Sequence, residues 1–416
     1  MYEDLKKLFQ THLVTSSLPS VKNYNLSENL EYLFDRENSY INKAVYGIFI
    51  HAINCKSSDI HFEALSENFR IRFRIDGLLQ EIIKIDKILA PAIISKIKLL
   101  SSLDIVEKRR PQDGRFSLIY QGREIDFRSS VIPTINGEKI VIRILDKFYN
   151  NFSIDDLYLS ENNKKIFFKA INQSSGMILI NGPTGSGKSS TLYSILKYKN
   201  SKNINISTVE DPIEYQIDGV NQIQCKNEIG LDFAFILRSL LRQDPDILMI
   251  GEIRDKETAE IAVKASLTGH LIFSTLHSND TFGSINRLIN LDIDPYLLSL
   301  VLIMIVSQRL VRKLCPHCKK NDENAKQKLI ALGVKEDFSE SSFFTHSETG
   351  CDFCMNTGYS GRIPIFEFLF FNDEIKHLFS KNKLKSSEIK FDTLLDDAIS
   401  KASQGLTSLD EIMRQL

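Results

Sequence analysis

The stretch Gly182-Pro183-Thr184-Gly185-Ser186-Gly187-Lys188-Ser189 constrains this chain more than any other. It follows an apolar run, Met177-Ile178-Leu179-Ile180, that reads as a buried parallel strand, and it precedes a helix-like segment from Ser190 to Leu196. Glycines at this spacing let the backbone curl until successive N–H groups converge on a phosphate, and the helix that follows adds its partial positive charge. Lys188 is placed to reach the β- and γ-phosphates, and the Ser189 hydroxyl to ligate Mg²⁺. A Gly-rich turn matching by chance would not require the flanking strand and helix. The stretch therefore reads as a nucleoside triphosphate site.

The surrounding pattern predicts the sheet that carries it. Asn205–Val209, Ile247–Ile250 and Leu271–Ser274 read as further buried strands, separated by helix-like stretches at Phe233–Arg242 and Thr258–Leu267. A helix from Ser160, with that serine as its cap, to Asn172 precedes them. Buried strands alternating with helices predict a parallel sheet covered on both faces, with ligands at the carboxyl ends of the strands. Two acids end such strands. Glu252 closes a Walker B-like segment whose usual strand-end Asp is replaced by Gly251, and Glu210 opens the acidic cluster Glu210-Asp211-Pro212-Ile213-Glu214. Together they can divide metal positioning and general-base work. Glu214 reads equally well as a solvated loop acid. His270 and His277 bracket the last strand: His277 reads as a sensor of the γ-phosphate, whereas His270 fits that role and a structural cap equally. Arg238 and Arg242 share one helix face. They form a solvated face, pair with Asp244 or Asp246, or reach a phosphate, including one bound by a neighbouring subunit.

Upstream lies a separate α+β pattern. Ile41, Val45, Ile48, Phe49 and Ile53 recur on one helical face. Strands are predicted at Asp59–Glu63, Arg70–Ile75, Gly114–Tyr120, Arg123–Val131 and Lys139–Leu145, with a helix over about 89–100. Arg72 and Arg74 alternate with Phe73, so they share one strand face, either solvated or offered to a nucleotide. The first 35 residues read as a short helix or a loose lead-in. Downstream, Cys315/Cys318 and Cys351/Cys354 form two C-x-x-C pairs. Four thiolates suit tetrahedral Zn²⁺ with no open position, which is a structural site. Arg312, Lys313 and Lys319 either offset that negative centre or form a solvated basic surface, and His317 and His346 read as bystanders. Cys55 and Cys225 read as small buried hydrophobes. A helix-like run near Lys326–Leu332 lies between the cysteine pairs, and helices around Asp373–Phe379, Phe391–Ser403 and Leu409–Leu416 close the chain.

Bulk composition removes several function classes. The 416 residues carry a formal net charge of -1, so no basic field points to nucleic acid. The longest apolar run, around Tyr296–Val306, falls short of the roughly 18–20 residues a membrane span needs. The N-terminus lacks the layout of a signal peptide. The chain is expected to be cytoplasmic, to have two or three domains, and to meet a membrane only through partners.

These residues resemble the secretion ATPase superfamily, specifically the assembly ATPases of type II secretion and type IV pili. The resemblance rests on Ser58–Glu63, Arg72–Gly77, Arg110–Arg115, the P-loop, Val209–Tyr215, Arg242–Asp246, Gly251–Asp255, Thr268–Asp280 and the four cysteines, in order and with family-like spacing. It implies an α/β chain: a short lead-in at 1–37, a PAS-like domain at 38–147, and a RecA-like ATPase domain at 148–416 with a zinc module at about 312–362. It implies ATP, Mg²⁺ and Zn²⁺, a homo-hexamer, and an inner-membrane platform protein as partner at the cytoplasmic face. Lys188 and Ser189 would bind phosphate and Mg²⁺, Glu210 and Glu252 would position metal and water, and His277 would sense nucleotide. Arg72, Arg238 and Arg242 would complete the site, Arg72 from the PAS-like domain. Many assembly ATPases carry a further N-terminal docking domain; only about 35 residues precede the match here, so docking through another surface, or weak docking, is expected. Pilus retraction ATPases generally lack the cysteine module, which favours assembly or secretion. The alternatives are a retraction motor and a nucleotide-gated scaffold with little turnover.

Overall fold

The computed structural model describes residues 20–22, 39–146, 152–278, 280–334, 342–380, 389 and 391–416. Apart from one short strand, the lead-in expected over the first 35 residues lies outside this set. The chain divides into two compact units, Met1–Asn150 and Asn151–Leu416.

The first unit comprises β1 (Ser20–Lys22), α1 (Ser39–Asn54), β2 (Asp59–Ala64), β3 (Asn68–Ile75), β4 (Leu78–Asp86), α2 (Ala90–Leu100), β5 (Gln112–Tyr120), β6 (Arg123–Thr134) and β7 (Gly137–Leu145). The strands form one antiparallel sheet in the order β1-β5-β6-β7-β2-β3-β4. Val45, Ile48, Phe49, Ala52 and Ile53 of α1 join Ile60, Phe62, Phe69, Ile71 and Phe73 in its core. β3 alternates strictly, so Phe69, Ile71, Phe73 and Ile75 are buried while Arg70, Arg72 and Arg74 face the other way. There the register sets Arg74 opposite Asp59, Arg72 opposite His61 and Arg70 opposite Glu63. β4 is absent from the pattern predicted above: its residues do not alternate, and Ile85 alone among them is buried. It forms because Asp76 (φ 49) and Gly77 (φ 86) turn the chain with two left-handed residues, the geometry of a tight hairpin.

The second unit contains α3 (Glu161–Ile171), β8 (Gly176–Asn181), α4 (Lys188–Lys199), β9 (Ile206–Glu210), β10 (Asn221–Gln224), α5 (Phe233–Leu240), β11 (Ile247–Ile250), α6 (Lys256–Leu267), β12 (Leu271–Leu276), α7 (Thr281–Asn290), α8 (Pro295–Val301), β13 (Leu302–Leu314), β14 (Lys320–Asn321), α9 (Ala325–Ala331), β15 (Phe344–Thr345), β16 (Tyr359–Phe370), α10 (Asp373–Ser380), α11 (Leu394–Ser403) and α12 (Leu409–Gln415). Seven strands form a sheet in the order β10-β9-β11-β12-β8-β13-β16, parallel except for the last pair. The pleat divides each buried strand between two cores. Met177, Leu179, Leu248, Ile250, Ile272 and Leu276 pack under α5 to α8. Ile178, Ile180, Ile247, Met249, Leu271 and Phe273 pack under α3 and α4. Helices on both faces follow, as the alternation of runs predicts. β10, β13 and β16 do not figure among the predicted strands. β13 continues from α8 with no polar break between Val301 and Leu302, so the sequence carries no sign of the change.

β16 lies at the end of the sheet, and α11 covers its backbone. Asp397 accepts a hydrogen bond from the Phe366 N–H at 2.8 Å, and Lys401 donates to the Pro364 carbonyl at 2.7 Å. No helix among the described residues is long and apolar enough to cross a membrane.

Candidate active site

Because β8, β9, β11 and β12 run parallel, Gly182–Ser189, Glu210, Glu252 and His277 all emerge at the carboxyl edge of one sheet. The P-loop is built on three left-handed glycines, Gly182 (φ 146), Gly185 (φ 79) and Gly187 (φ 88), which a larger residue adopts only under strain. At two of them space is also closed. A Cβ on Gly182 would lie 2.4 Å from the Gln308 carbonyl, and one on Gly187 would lie 2.8 Å from Gln308 Nε2. Lys188 Nζ donates across the loop to the carbonyls of Gly182 (2.8 Å) and Pro183 (3.0 Å). Burial lowers the Lys188 pKa, and the Glu252 carboxylate opposes that shift. Ser189 is exposed in the first turn of α4.

Glu252 follows β11 by two residues. Gly251 takes the place of an acid there because a Cβ would press to 3.2 Å against the Val209 carbonyl. The Glu252 carboxylate accepts from Arg254 at 2.5 Å and stands 3.7 Å from His277 Nε2. His277 is half-exposed; partial burial and then the Lys188 charge hold its pKa below the ordinary imidazole value, while Glu252 pulls the other way. A largely neutral imidazole beside a carboxylate and the P-loop lysine can hydrogen-bond both a phosphate oxygen and a water. His270 is elsewhere. It precedes β12, so it lies at the amino edge, where its Nδ1 meets the Ala265 carbonyl at 3.0 Å at the end of α6. Of the two readings for His270, the structural cap is the one observed.

Glu210 ends β9 at the same edge, but its carboxylate turns inward. It is buried and accepts from Tyr193 of α4, from Thr208 at 2.6 Å and from Gln222 at 3.1 Å. These donors tie the P-loop helix to the acidic cluster. Arg238 pairs with Glu257, and Arg242 donates to the Arg238 carbonyl at 2.9 Å and to Ser239 at 3.3 Å. Of the alternatives above, Arg238 makes an ion pair, but with Glu257 rather than Asp244 or Asp246, because Glu257 opens α6, the helix packed against α5. In the first unit, Arg72 donates to Glu63 at 2.8 Å. Arg72 Nε and both ring nitrogens of His61 are buried with no hydrogen-bond partner among the described residues.

The four cysteines converge as their spacing predicts: all four sulfurs lie within 4.8 Å of one another, and three pairs stand at 3.7 Å. Four sulfurs about 2.3 Å from one tetrahedral ion would be spaced about 3.8 Å apart, so the set fits Zn²⁺. Burial disfavours a thiolate at Cys354, but N–H groups of Cys351 and Gly358, each 3.2 Å from its sulfur, outweigh that and bring it down to about 6. Each of the three basic residues nearby has a partner of its own. Arg312 pairs with Glu411 at 2.8 Å and stacks on Tyr359, Lys313 donates to Tyr158, and Lys319 to the Gly405 carbonyl. His317 lies against Phe353, and His346 against Tyr359. Cys55 and Cys225 are buried, and burial pushes both thiols up to about 11.

Gln308 of β13 is a site residue that no motif marks; the one sign of it is a glutamine within a strand's worth of apolar residues. Its side chain meets the P-loop directly, and Asn181, the residue before the loop, accepts from Ser307 at 2.5 Å and donates to the Asp280 carbonyl at 2.7 Å.

The sequence matches the family described as Type II/IV secretion system protein over residues 35–414. It is 46% identical over 381 residues to the Type IV pilus assembly ATPase PilB of Myxococcus xanthus, covering 89% of this chain and 67% of that protein. It is 40% identical over 392 residues to the Type II secretion system protein E of Pseudomonas aeruginosa, covering 93% and 78% respectively. Among solved structures, it is similar to the pilus retraction motor PilT with bound ADP, with a TM-score of 0.57 and 26% identity over 88% of this chain and 95% of that one.

Proposed function

Because the chain belongs to the family of type II/IV secretion system proteins, we propose that it is a motor whose ATP hydrolysis drives type II secretion or the assembly of type IV pilus-like fibres. The observation that carries this reading is the gathering of Lys188, Glu252 and His277 at one edge of a parallel sheet. Such a site does phosphoryl transfer by positioning and charge neutralisation. The P-loop N–H groups and Lys188 hold the phosphates, Ser189 ligates Mg²⁺, and Glu252 orients the attacking water. His277 reads the γ-phosphate. Glu210 acts on metal and water through the α4 helix that it anchors.

The domain reading follows the same resemblance: a lead-in at 1–37, a PAS-like domain at 38–147 and a RecA-like domain at 148–416, with a structural Zn²⁺ on Cys315, Cys318, Cys351 and Cys354. The chain works as a homo-hexamer at the cytoplasmic face of the inner membrane, against a platform protein embedded there. Arg72, Arg238 and Arg242 complete sites across subunit boundaries. The likeness to PilT supports a second reading, a retraction motor; the higher identity to an assembly ATPase and the cysteine module weigh against it.

The test is Glu252→Gln. ATP turnover should fall about 10²–10³-fold, the usual loss when one transition-state group is removed, while ATP binding persists. Unchanged turnover would overturn the assignment of Glu252.

A further inference from the structure

We infer that Gln308 is a positioning residue for phosphate recognition: it sets the direction of a P-loop N–H from the adjacent strand. The inference rests on the nucleotide reading of Gly182–Ser189. Gln308 is 1% exposed. Its Nε2 donates to the Ser186 carbonyl at 2.8 Å, and its Oε1 accepts from the Thr191 hydroxyl at 2.8 Å. Thr191 lies in the first turn of α4, where its own N–H donates to the Gly187 carbonyl at 3.1 Å. The amide is thus oriented by one end of the helix start and acts on the loop that leads into it.

The consequence follows from peptide geometry. Ser186 C=O and Gly187 N–H belong to one planar trans unit and point in opposite directions. Drawing the carbonyl toward Gln308 therefore turns the Gly187 N–H away from β13, into the concave side of the loop where phosphate oxygens are received. The same residue crowds the loop from outside at both ends, through its carbonyl at Gly182 and its side chain at Gly187. Without the amide, the Ser186–Gly187 peptide is free to flip, and a donor would become an acceptor facing a phosphate.

Such a contact would act in the ground state and the transition state alike, so its loss should raise KM and leave kcat nearly unchanged. A strut needed only for folding would do the reverse, lowering the active fraction and the apparent kcat at constant KM. Gln308→Met keeps the volume and removes both hydrogen bonds. ADP binding by calorimetry and steady-state ATP turnover should show about a tenfold rise in Kd and KM, with kcat within about twofold. Wild-type KM with reduced kcat would overturn the inference. If Gln308→Met does not fold, Thr191→Val decides. It releases the amide's orientation and should weaken ADP several-fold, while Thr191→Ser, which keeps the hydroxyl, binds as wild type. Equal affinities for Thr191→Val and Thr191→Ser would overturn the inference too. Failure of the wild-type chain to bind ADP would instead sink the nucleotide reading.

Discussion

Glu63 holds the cationic face of the first unit together, and Glu63→Gln measures how firmly. Its carboxylate, 8% exposed, is 2.9 Å from Arg70, 2.8 Å from Arg72 and 3.3 Å from Lys139. Burial favours its neutral form, yet hydrogen bonds from Arg72 and Arg70 outweigh burial and hold its pKa at about 2. Against about 4.3 in an unfolded chain, at about 1.36 kcal/mol per unit, that is about 3 kcal/mol. The three cations are 24–32% exposed, and water screens them, so about 1.5 kcal/mol is expected to survive. The sign is that of a depressed carboxylate: the stabilisation is complete above about pH 4.3 and is lost as pH falls toward 2. Glu63→Gln should therefore be less stable than wild type by about 1.5 kcal/mol at pH 7. The gap should hold to about pH 5 and then shrink steadily toward pH 2. Urea unfolding of the full chain followed by far-UV circular dichroism reads the gap, and amide exchange in β2 and β3 assigns it to this sheet. Equal stability at pH 7, or an undiminished gap at pH 3, would refute the reasoning. The variant also frees Arg72, so any trans role for that arginine should change with it.

Two further outcomes are expected. Purified protein should carry about one zinc per chain, and Cys354→Ser or a strong chelator should lower the melting temperature; a zinc-free chain that melts unchanged would remove the structural metal. Lys401→Met should cost about 3–5 kcal/mol, because it strands the Asp397 carboxylate, 3% exposed, with the Phe366 N–H as its remaining donor among the described residues. Adding Asp397→Leu should recover much of that loss in urea melts, and a single-variant cost under about 1 kcal/mol would contradict the buried pair.

What could be read from the sequence was whatever is contiguous. The P-loop keeps its glycines, lysine and serine in one turn, and β8, β9, β11 and β12 are short buried segments, apolar or apolar with small hydroxyl residues, bounded by polar residues. The cysteines announce themselves by pairing. Features made by distant partners were hidden. His270 and His277 sit on either side of the same strand, and it is the strand's direction that sends one to the P-loop edge and the other to the far edge. Glu210 looks as available as Glu252 until Tyr193 and Thr208 close over it. Arg238 has acids nearby in sequence but finds Glu257 across a helix pair. β13 and β16 escaped because cationic residues interrupt β13 and a helix runs straight into it, so neither period is sustained.

Gln308 lies 122 residues beyond Ser186, with β12 and its connections between them. During synthesis at about 5–20 residues per second, roughly 6–24 s separate the appearance of the P-loop from that of its brace. Throughout that interval the motif is complete as sequence and unfinished as a binding site. Nucleotide can therefore stabilise the second unit at full strength only late in its folding, and a chain truncated before β13 should carry an intact G-x-x-x-x-G-K-S that binds phosphate at least about tenfold more weakly.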